Sequence, residues 1–151
     1  MKQMKYILLC AGVVALCFMF VESEPARSAS TLYTITFIDV GQGDSALLRD
    51  PNGFTVLIDG GETTAGPTVV DLIRSQGVTQ INVLLETHPD ADHLGGLIDV
   101  LEMNDVPVLS VVYNGYPGTT LLWTNFLSAV AAEGLTLTTL QYPQTTTWGL
   151  M

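Results

Sequence analysis

Short apolar segments separated by glycine- and proline-containing turns dominate the chain from residue 31 onward. Thr31 to Asp39 (TLYTITFID) alternates between polar and apolar residues and is rich in β-branched and aromatic side chains, which predicts a β-strand. Ser45 to Arg49 and Phe54 to Asp59 are two further predicted strands. The DPNG segment between them is typical of a tight turn, so residues 45–59 are predicted to form a hairpin.

The pattern then changes to an alternation of helices and strands. TVVDLIRSQ, which follows Pro67, has helical spacing, and Gly77 is suited to end that helix. Further predicted strands span residues 81–85, 106–113 and 135–140, and further predicted helices span residues 94–103 and 121–133. This order predicts an α/β chain of the α+β type, with a mixed sheet and helices on one face. If the other face is apolar, it needs a partner layer, and no further predicted element of the 151 residues supplies one.

The N-terminal region has the order of a secretory signal peptide: a basic start, an apolar stretch and small residues. Residues 6–21 are free of charge, and this run of 16 is shorter than the ~20 residues of a membrane span. We therefore expect residues 1–29 to be cleaved near Ala29, leaving residues 30–151 as an exported domain, periplasmic or extracellular, without membrane contact. An anchor formed by residues 6–21 is the alternative.

The cysteine content and the charge of the chain count against several classes of function. Cys10 and Cys17 both lie in the leader, which excludes a disulfide scaffold, a cysteine nucleophile and a thiolate zinc site from the mature domain. From Thr31 onward the basic residues are Arg49 and Arg74 against thirteen acidic residues, a net charge near −11. Such a surface repels polyanions, so charge alone does not favour nucleic-acid binding.

The segment LLETHPDADHLGG contains the most informative chemistry. It places His88, Asp90, Asp92 and His93 directly after an apolar strand, at the edge where mixed sheets commonly bind ligands. Imidazole and carboxylate groups both bind zinc at ~2.0–2.2 Å, and carboxylate-rich sites also suit manganese or iron. The two glycines that follow allow the next helix to pass close to the cluster.

Two other interpretations of this segment are open. In the first it is a polar turn, with Asp92 as an ordinary helix N-cap, Asp90 as a turn residue and the histidines exposed. In the second it is a calcium loop, although only Asp90 and Asp92 fit the start of that pattern. Both histidines of the chain lie in this segment, which favours the metal site.

Two glycine-rich segments precede it. Residues 39–45 (DVGQGDS) suit a tight connection between strands, and Ser45 is a poor nucleophile candidate because no further histidine is available as its base. LIDGG, residues 57–61, places Asp59 at the end of a strand. Asp59 is either a loop-start residue or a group that orients a ligand histidine by a hydrogen bond.

Together, FIDVGQGDS, LIDGG and THPDADHLGG resemble the metallo-β-lactamase fold, and more narrowly the hydrolase domain of bacterial competence (DNA-internalisation) channel proteins. The resemblance covers residues 32–113. It implies an αββα sandwich of four layers with the site at one edge between the sheets. The chain would correspond to the first sheet and its helices.

The resemblance also implies roles. His88 and Asp90 would belong to a first divalent metal ion and Asp92 and His93 to a second, with zinc expected and manganese as the alternative. Asp92 would also position the attacking water. The reaction implied is hydrolysis of a phosphodiester, either a small molecule or a nucleic acid, and the competence-type likeness favours single-stranded DNA.

The chain departs from this family after His93, because no later histidine is present to complete the site. We therefore expect an N-terminal half with an incomplete metal site and with self-association through the open sheet face. A non-catalytic role as a metal-binding or interaction fragment is the alternative. A β-lactam-degrading enzyme would normally carry histidine at position 90.

Overall fold

The computed structural model describes residues 32–140. The predicted leader, residues 1–29, lies outside the described residues, and so does the chain from residue 141 onward. Within the described part, no helix has the length and apolar character needed to cross a membrane.

A six-stranded mixed sheet follows the order of the chain. Its strands are β1 (Thr34–Phe37), β2 (Ala46–Arg49), β3 (Thr55–Ile58), β4 (Val83–Glu86), β5 (Val111–Tyr113) and β6 (Leu137–Thr139). β1, β2 and β3 pair antiparallel, and β3 to β6 pair parallel. The predicted hairpin is present: in its turn Asp50 Oδ1 accepts hydrogen bonds from the backbone N–H groups of Asn52 and Phe54.

Helices make the crossovers between the parallel strands. They are α1 (Gly66–Ser75, entered through a 3-10 turn at Thr63–Ala65), α2 (Ala91–Leu94), α3 (Leu97–Leu101) and α4 (Leu121–Ala132). α1 ends as predicted, because Gly77 has a φ of 63° and the next amide, Val78 N–H, donates to the Ile73 carbonyl. The single helix predicted at 94–103 is wrong in detail. It is two short helices, separated at Gly95 and Gly96.

The helices pack on one face of the sheet, as predicted. Since right-handed crossovers between parallel strands in sequential order place their helices on the same side, this arrangement follows from the topology. Leu57, Leu84 and Val111 point from the central strands into the core, where they join helical residues such as Ile73 and Phe126. All five are fully buried.

The opposite sheet face is apolar and carries no helix within residues 32–140. Val56, Val83 and Val112 are its buried centre, with Leu48, Phe54, Ile58, Leu85 and Leu140 packed around them. Towards the β1 edge the face is open to solvent, where Ile35 is 60% and Phe37 82% exposed. We call the residues on this side the open face.

Candidate metal centre

The ends of two neighbouring parallel strands meet at the site. β3 ends at Ile58 and β4 at Glu86, and Ile58 pairs with Leu85. The residues that follow, Asp59 and Thr87, therefore emerge at the same edge of the sheet. His88 and His93 follow within one short loop and the first helical turn, which is the location predicted from the apolar strand.

Asp59 lies at the centre of the hydrogen-bond network. It is 2% exposed and holds a left-handed conformation with a φ of 54°, which an aspartate tolerates better than most residues. Its Oδ1 accepts from the Thr87 backbone N–H at 2.9 Å, and its Oδ2 accepts from the Thr87 hydroxyl at 2.5 Å. Oδ2 also lies 2.9 Å from His93 Nδ1. Of the two interpretations left open for Asp59, the structure shows the contact with a histidine of the motif.

The two histidines are side by side. Their ring centroids are 3.9 Å apart, with the planes inclined by 48°. His93 is largely buried and bound through Nδ1 to Asp59, whereas His88 is more open and its Nε2 lies 3.5 Å from Asp90 Oδ2. The structure therefore brings the side chains of His88 and Asp90 together.

Asp92 lies in the first turn of α2 and faces a different neighbour. Its Oδ2 accepts a hydrogen bond of 3.4 Å from Gln42 Nε2, which holds the pKa of the Asp92 carboxyl below its usual value. The polar-turn interpretation had Asp92 as the helix N-cap, and this is wrong. The N-cap of α2 is Asp90, and the Asp90 side chain makes no capping hydrogen bond. Gln42 was not predicted; its signal was its position between two glycines in the DVGQGDS segment.

Backbone hydrogen bonds donated by Gly60 and Gly96 hold the site loops together. Gly60 N–H donates to the His93 carbonyl at 2.7 Å, and Gly96 N–H donates to the Gly61 carbonyl at 3.0 Å. A Cβ on Gly96 would lie 2.1 Å from the Gly60 oxygen, so a side chain there would separate the two segments. Because the Gly96 N–H donates to the Gly61 carbonyl and not to a carbonyl of its own helix, the one predicted helix is divided into α2 and α3.

Ser45 and Glu86 are the other buried polar groups beside the site. The Ser45 hydroxyl donates to the Asp59 carbonyl at 2.9 Å, which is a structural role. Glu86 is fully buried and neither carboxylate oxygen has a hydrogen-bond partner. Desolvation, with a further contribution from Asp59, raises the pKa of Glu86 to about 7. Sequence reasoning missed Glu86; its signal was a charged residue at the end of an apolar strand.

Among residues 32–140, no three histidine, cysteine or acidic side chains lie together in a position to hold one metal ion. The motif residues form pairs instead: His88 with Asp90, His93 with Asp59, and Asp92 with Gln42. The described part of the chain thus presents imidazole and carboxylate groups at one edge, without a closed cage.

Comparison with known proteins identifies the family. Residues 38–148 match the family model of the Metallo-beta-lactamase superfamily. The chain belongs to this superfamily. Over 91 residues it is 34% identical to the Competence protein ComA of Neisseria gonorrhoeae, a match that covers 60% of this chain and 12% of that protein. The chain therefore spans about an eighth of the length of this curated relative.

Solved structures of superfamily members are more distant. A metallo-beta-lactamase with a HARLDQ motif from Cronobacter sakazakii is 22% identical, with a TM-score of 0.43, over 52% of this chain and 29% of that chain. A metallo-beta-lactamase candidate from Thermotoga maritima is 11% identical, with a TM-score of 0.47, over 77% of this chain and 58% of that one. The superfamily match and the competence-protein relative confirm the resemblance read from the three motifs.

Proposed function

We propose that this chain carries the histidine-containing half of a hydrolase site of the metallo-β-lactamase type, which uses divalent metal ions to cleave phosphodiesters. One observation supports this most directly. His88 and His93 lie side by side at the sheet edge, and a buried carboxylate, Asp59, contacts the Nδ1 of His93. A hydrogen bond from the second ring nitrogen to a carboxylate is the usual support of a metal-ligating histidine.

The donor atoms suit a divalent metal ion in chemistry, and one pair of them, on His88 and Asp90, also suits it in spacing. The superfamily typically binds divalent metals. His88 Nε2 and Asp90 Oδ2 are 3.5 Å apart. Two ligands with bonds of ~2.0–2.2 Å to one tetrahedral zinc ion are separated by roughly 3.4 Å. We propose His88, Asp90, Asp92 and His93 as the donors for two ions, with zinc as the expected metal and manganese as the alternative.

The chain's own groups have separable tasks in this proposal. The metal would supply polarisation of the scissile group and a lowered pKa of the attacking water. Asp92 is ionised at neutral pH, since the amide of Gln42 keeps its pKa low, and it can accept a hydrogen bond from the water and orient it. Asp59 and Thr87 hold the imidazoles in place.

Several observations bear on the substrate and the location. The resemblance of the three motifs to the competence-type hydrolase domain favours a phosphodiester, with single-stranded DNA as the nucleic-acid candidate. A β-lactam-degrading enzyme would normally carry histidine at position 90, where this chain has aspartate. This difference argues against a β-lactam substrate. The formal net charge of −10 opposes a polyanion, and bound cations would offset this locally. The basic, apolar and small-residue order of the first 29 residues supports export, with an anchor as the rival.

A second candidate function is a metal-binding or interaction module without hydrolysis. The observation in its favour is that no three ligand side chains lie together within residues 32–140. Two ligands hold a metal ion weakly and leave the water poorly oriented. This candidate predicts zinc binding without turnover.

The two candidates are separated by measuring metal binding and turnover on the same full-length chain. Zinc or manganese is titrated by calorimetry, and hydrolysis of bis(p-nitrophenyl) phosphate and of an end-labelled single-stranded oligonucleotide is followed with and without chelator. For the hydrolase we expect chelator-sensitive turnover that is lost in His88→Ala and Asp90→Ala. Asp71→Ala, which removes an exposed acid on α1, is the charge-matched control and should leave turnover unchanged. Binding without turnover supports the module, and absence of both contradicts both candidates.

A further inference from the structure

Thr87 occupies a bridging position that its sequence context does not explain. Its hydroxyl lies 2.5 Å from Asp59 Oδ2 on one side and 3.0 Å from His88 Nδ1 on the other. Its backbone N–H is also fixed, because it donates to the second oxygen of the same carboxylate at 2.9 Å. Thr87 is therefore held by two hydrogen bonds to Asp59 while its hydroxyl touches the first histidine of the motif.

The number of protons that each group can donate determines which group donates and which accepts in these hydrogen bonds. A carboxylate such as Asp59 accepts hydrogen bonds only, and a threonine hydroxyl has one proton to donate. Since that proton is used at Asp59, the hydroxyl can only accept from His88. The neutral His88 ring must then carry its proton on Nδ1, which leaves the lone pair on Nε2.

The same carboxylate assigns the other ring. His93 Nδ1 lies 2.9 Å from Asp59 Oδ2, and this contact needs a proton on Nδ1, so Nε2 of His93 also keeps its lone pair. In water a free neutral imidazole can carry its proton on either nitrogen. One buried aspartate thus determines the tautomer of both rings, directly for His93 and through a hydroxyl for His88.

We propose that Thr87 is a positioning residue: its hydroxyl transmits the influence of Asp59 to His88 and fixes that ring in the Nδ1–H tautomer, with Nε2 turned toward Asp90. This inference rests on the proposed metal site, because the tautomer matters for binding a metal ion through Nε2. The tautomer itself is a property of the metal-free chain. Asp90 Oδ2 lies 3.5 Å from Nε2, and in the metal-free chain this carboxylate favours a proton on Nε2. The proposal is that the shorter contact of 3.0 Å between Nδ1 and the Thr87 hydroxyl outweighs it. Thr87 is exposed, so replacing its hydroxyl alters no core packing.

The test is a long-range ¹⁵N–¹H correlation spectrum of the metal-free full-length chain, recorded at about pH 8.5, well above the ordinary histidine pKa of about 6.5. We expect the wild-type chain to show Nδ1–H for both rings. Thr87→Val, which has nearly the same shape, should move His88 toward Nε2–H and leave His93 unchanged. Thr87→Ser, which keeps the hydroxyl, should retain the wild-type pattern.

Zinc affinity, measured by competition with a chromophoric chelator, is the second readout. Loss of an outer hydrogen-bond partner typically weakens metal binding by about 10- to 100-fold, which is the change expected for Thr87→Val and not for Thr87→Ser. Nε2–H at His88 in the wild-type chain, or an unchanged spectrum in Thr87→Val, would overturn the proposal. An Nε2–H signal from His88 in the wild-type spectrum overturns the proposal even if a variant does not fold. A chain that shows the tautomers but binds no zinc contradicts the proposed function and leaves the role of Thr87 intact.

Discussion

Gly43 lies directly against the backbone of Asp92. A Cβ atom on Gly43 would be 1.6 Å from the Asp92 carbonyl oxygen and 2.6 Å from its carbonyl carbon. The loop between β1 and β2 is therefore in contact with the first turn of α2, and this contact brings Gln42 within 3.4 Å of the Asp92 carboxylate. The glycine at position 43 is needed for this approach as well as for its φ of 88°.

Replacing Gly43 by alanine should push the loop away from α2. Gly41 is the matched control, because its φ of 77° is similar but a Cβ there would meet nothing within 4 Å. Gly41→Ala should cost only the left-handed backbone penalty of about 1–2 kcal/mol. Gly43→Ala should cost clearly more in urea unfolding, and it should also weaken zinc binding. Equal losses in the two variants would show that the contact with Asp92 is unimportant.

Replacing Gly96 by alanine should destabilise the chain, although a glycine-to-alanine substitution in this backbone conformation usually stabilises. Its φ of −73° suits any residue, so Gly96→Ala would ordinarily stabilise by about 0.4–1 kcal/mol. Here the added Cβ would lie 2.1 Å from the Gly60 carbonyl oxygen, which belongs to the rigid backbone after Asp59. We expect net destabilisation in urea unfolding and a changed His93 ring signal by NMR.

Gly66→Ala is the control for this test. A Cβ on Gly66 would also be too close to a neighbour, at 2.0 Å, but that neighbour is the Asp99 side chain. Its carboxylate can rotate away, so that only the contact of 2.8 Å with the Asp99 Cβ requires a small backbone shift. Gly66→Ala should therefore have a smaller effect on stability than Gly96→Ala and no effect on His93. A stabilised Gly96→Ala variant would contradict the role assigned to the glycine crossing.

Glu86 should make the metal-free chain less stable as the pH rises. Its pKa in the folded chain is about 7, above the ordinary 4.5, so the folded state binds the proton more tightly than the unfolded state. Between these values the unfolding free energy falls with rising pH, and the loss is complete above pH 7. Glu86→Gln should remove this component and gain on the order of 1–3 kcal/mol relative to wild type at pH 8, with little gain at pH 4.

Urea unfolding at several pH values measures this difference. Glu133→Gln is the control, since Glu133 is an exposed acid at the end of α4. Its profile should run parallel to that of the wild-type chain. A Glu86→Gln profile that is also parallel to wild type would show that the buried carboxylate does not titrate in this range.

The strands and the sheet were predictable because they depend on local pattern. Ile35 and Phe37 alternate with Thr34 and Thr36 in β1, and the apolar run that ends in β4 is covered on both faces in its centre. The helix ends at Gly77 and Gly134 also depend on local sequence, because both residues have a positive φ, which glycine adopts readily. The register of the sheet then follows from the short hairpin and the helical crossovers.

The features of the site that local pattern does not determine depend on contacts between distant parts of the chain. Gln42 and Asp92 are 50 positions apart, and Asp59 and His93 are 34 apart. The Asp59 contact was one of two interpretations that the sequence left open, because the motif supplied a histidine for it, whereas nothing in the GQG segment indicated a partner. The division of the helix at Gly95 and Gly96 depends on contact with the backbone of residues 60–63. These residues are distant in the sequence, so the spacing of apolar residues within the helix does not indicate the contact.

The open face should cause the chain to associate with itself. Phe37 is 82% exposed and Ile35 60% exposed, and their neighbours on this side, Leu48 and Val56, are also apolar. Burying such surface stabilises contact by roughly 25 cal/mol per Å² of apolar area. We expect the full-length wild-type chain to show concentration-dependent association in sedimentation velocity. Ile35→Thr/Phe37→Thr should reduce it, because threonine keeps the β-strand preference but removes most of the apolar area.

Tyr116→Thr provides the matched control for this prediction. Tyr116 is 75% exposed, a similar value, but it lies in the loop between β5 and α4 and outside the open face. Its replacement should leave association unchanged, and circular dichroism should show that all three chains keep their strands. Association that persists in Ile35→Thr/Phe37→Thr would assign the contact to another surface, and a wild-type chain that stays monomeric would show that the open face is covered within one molecule.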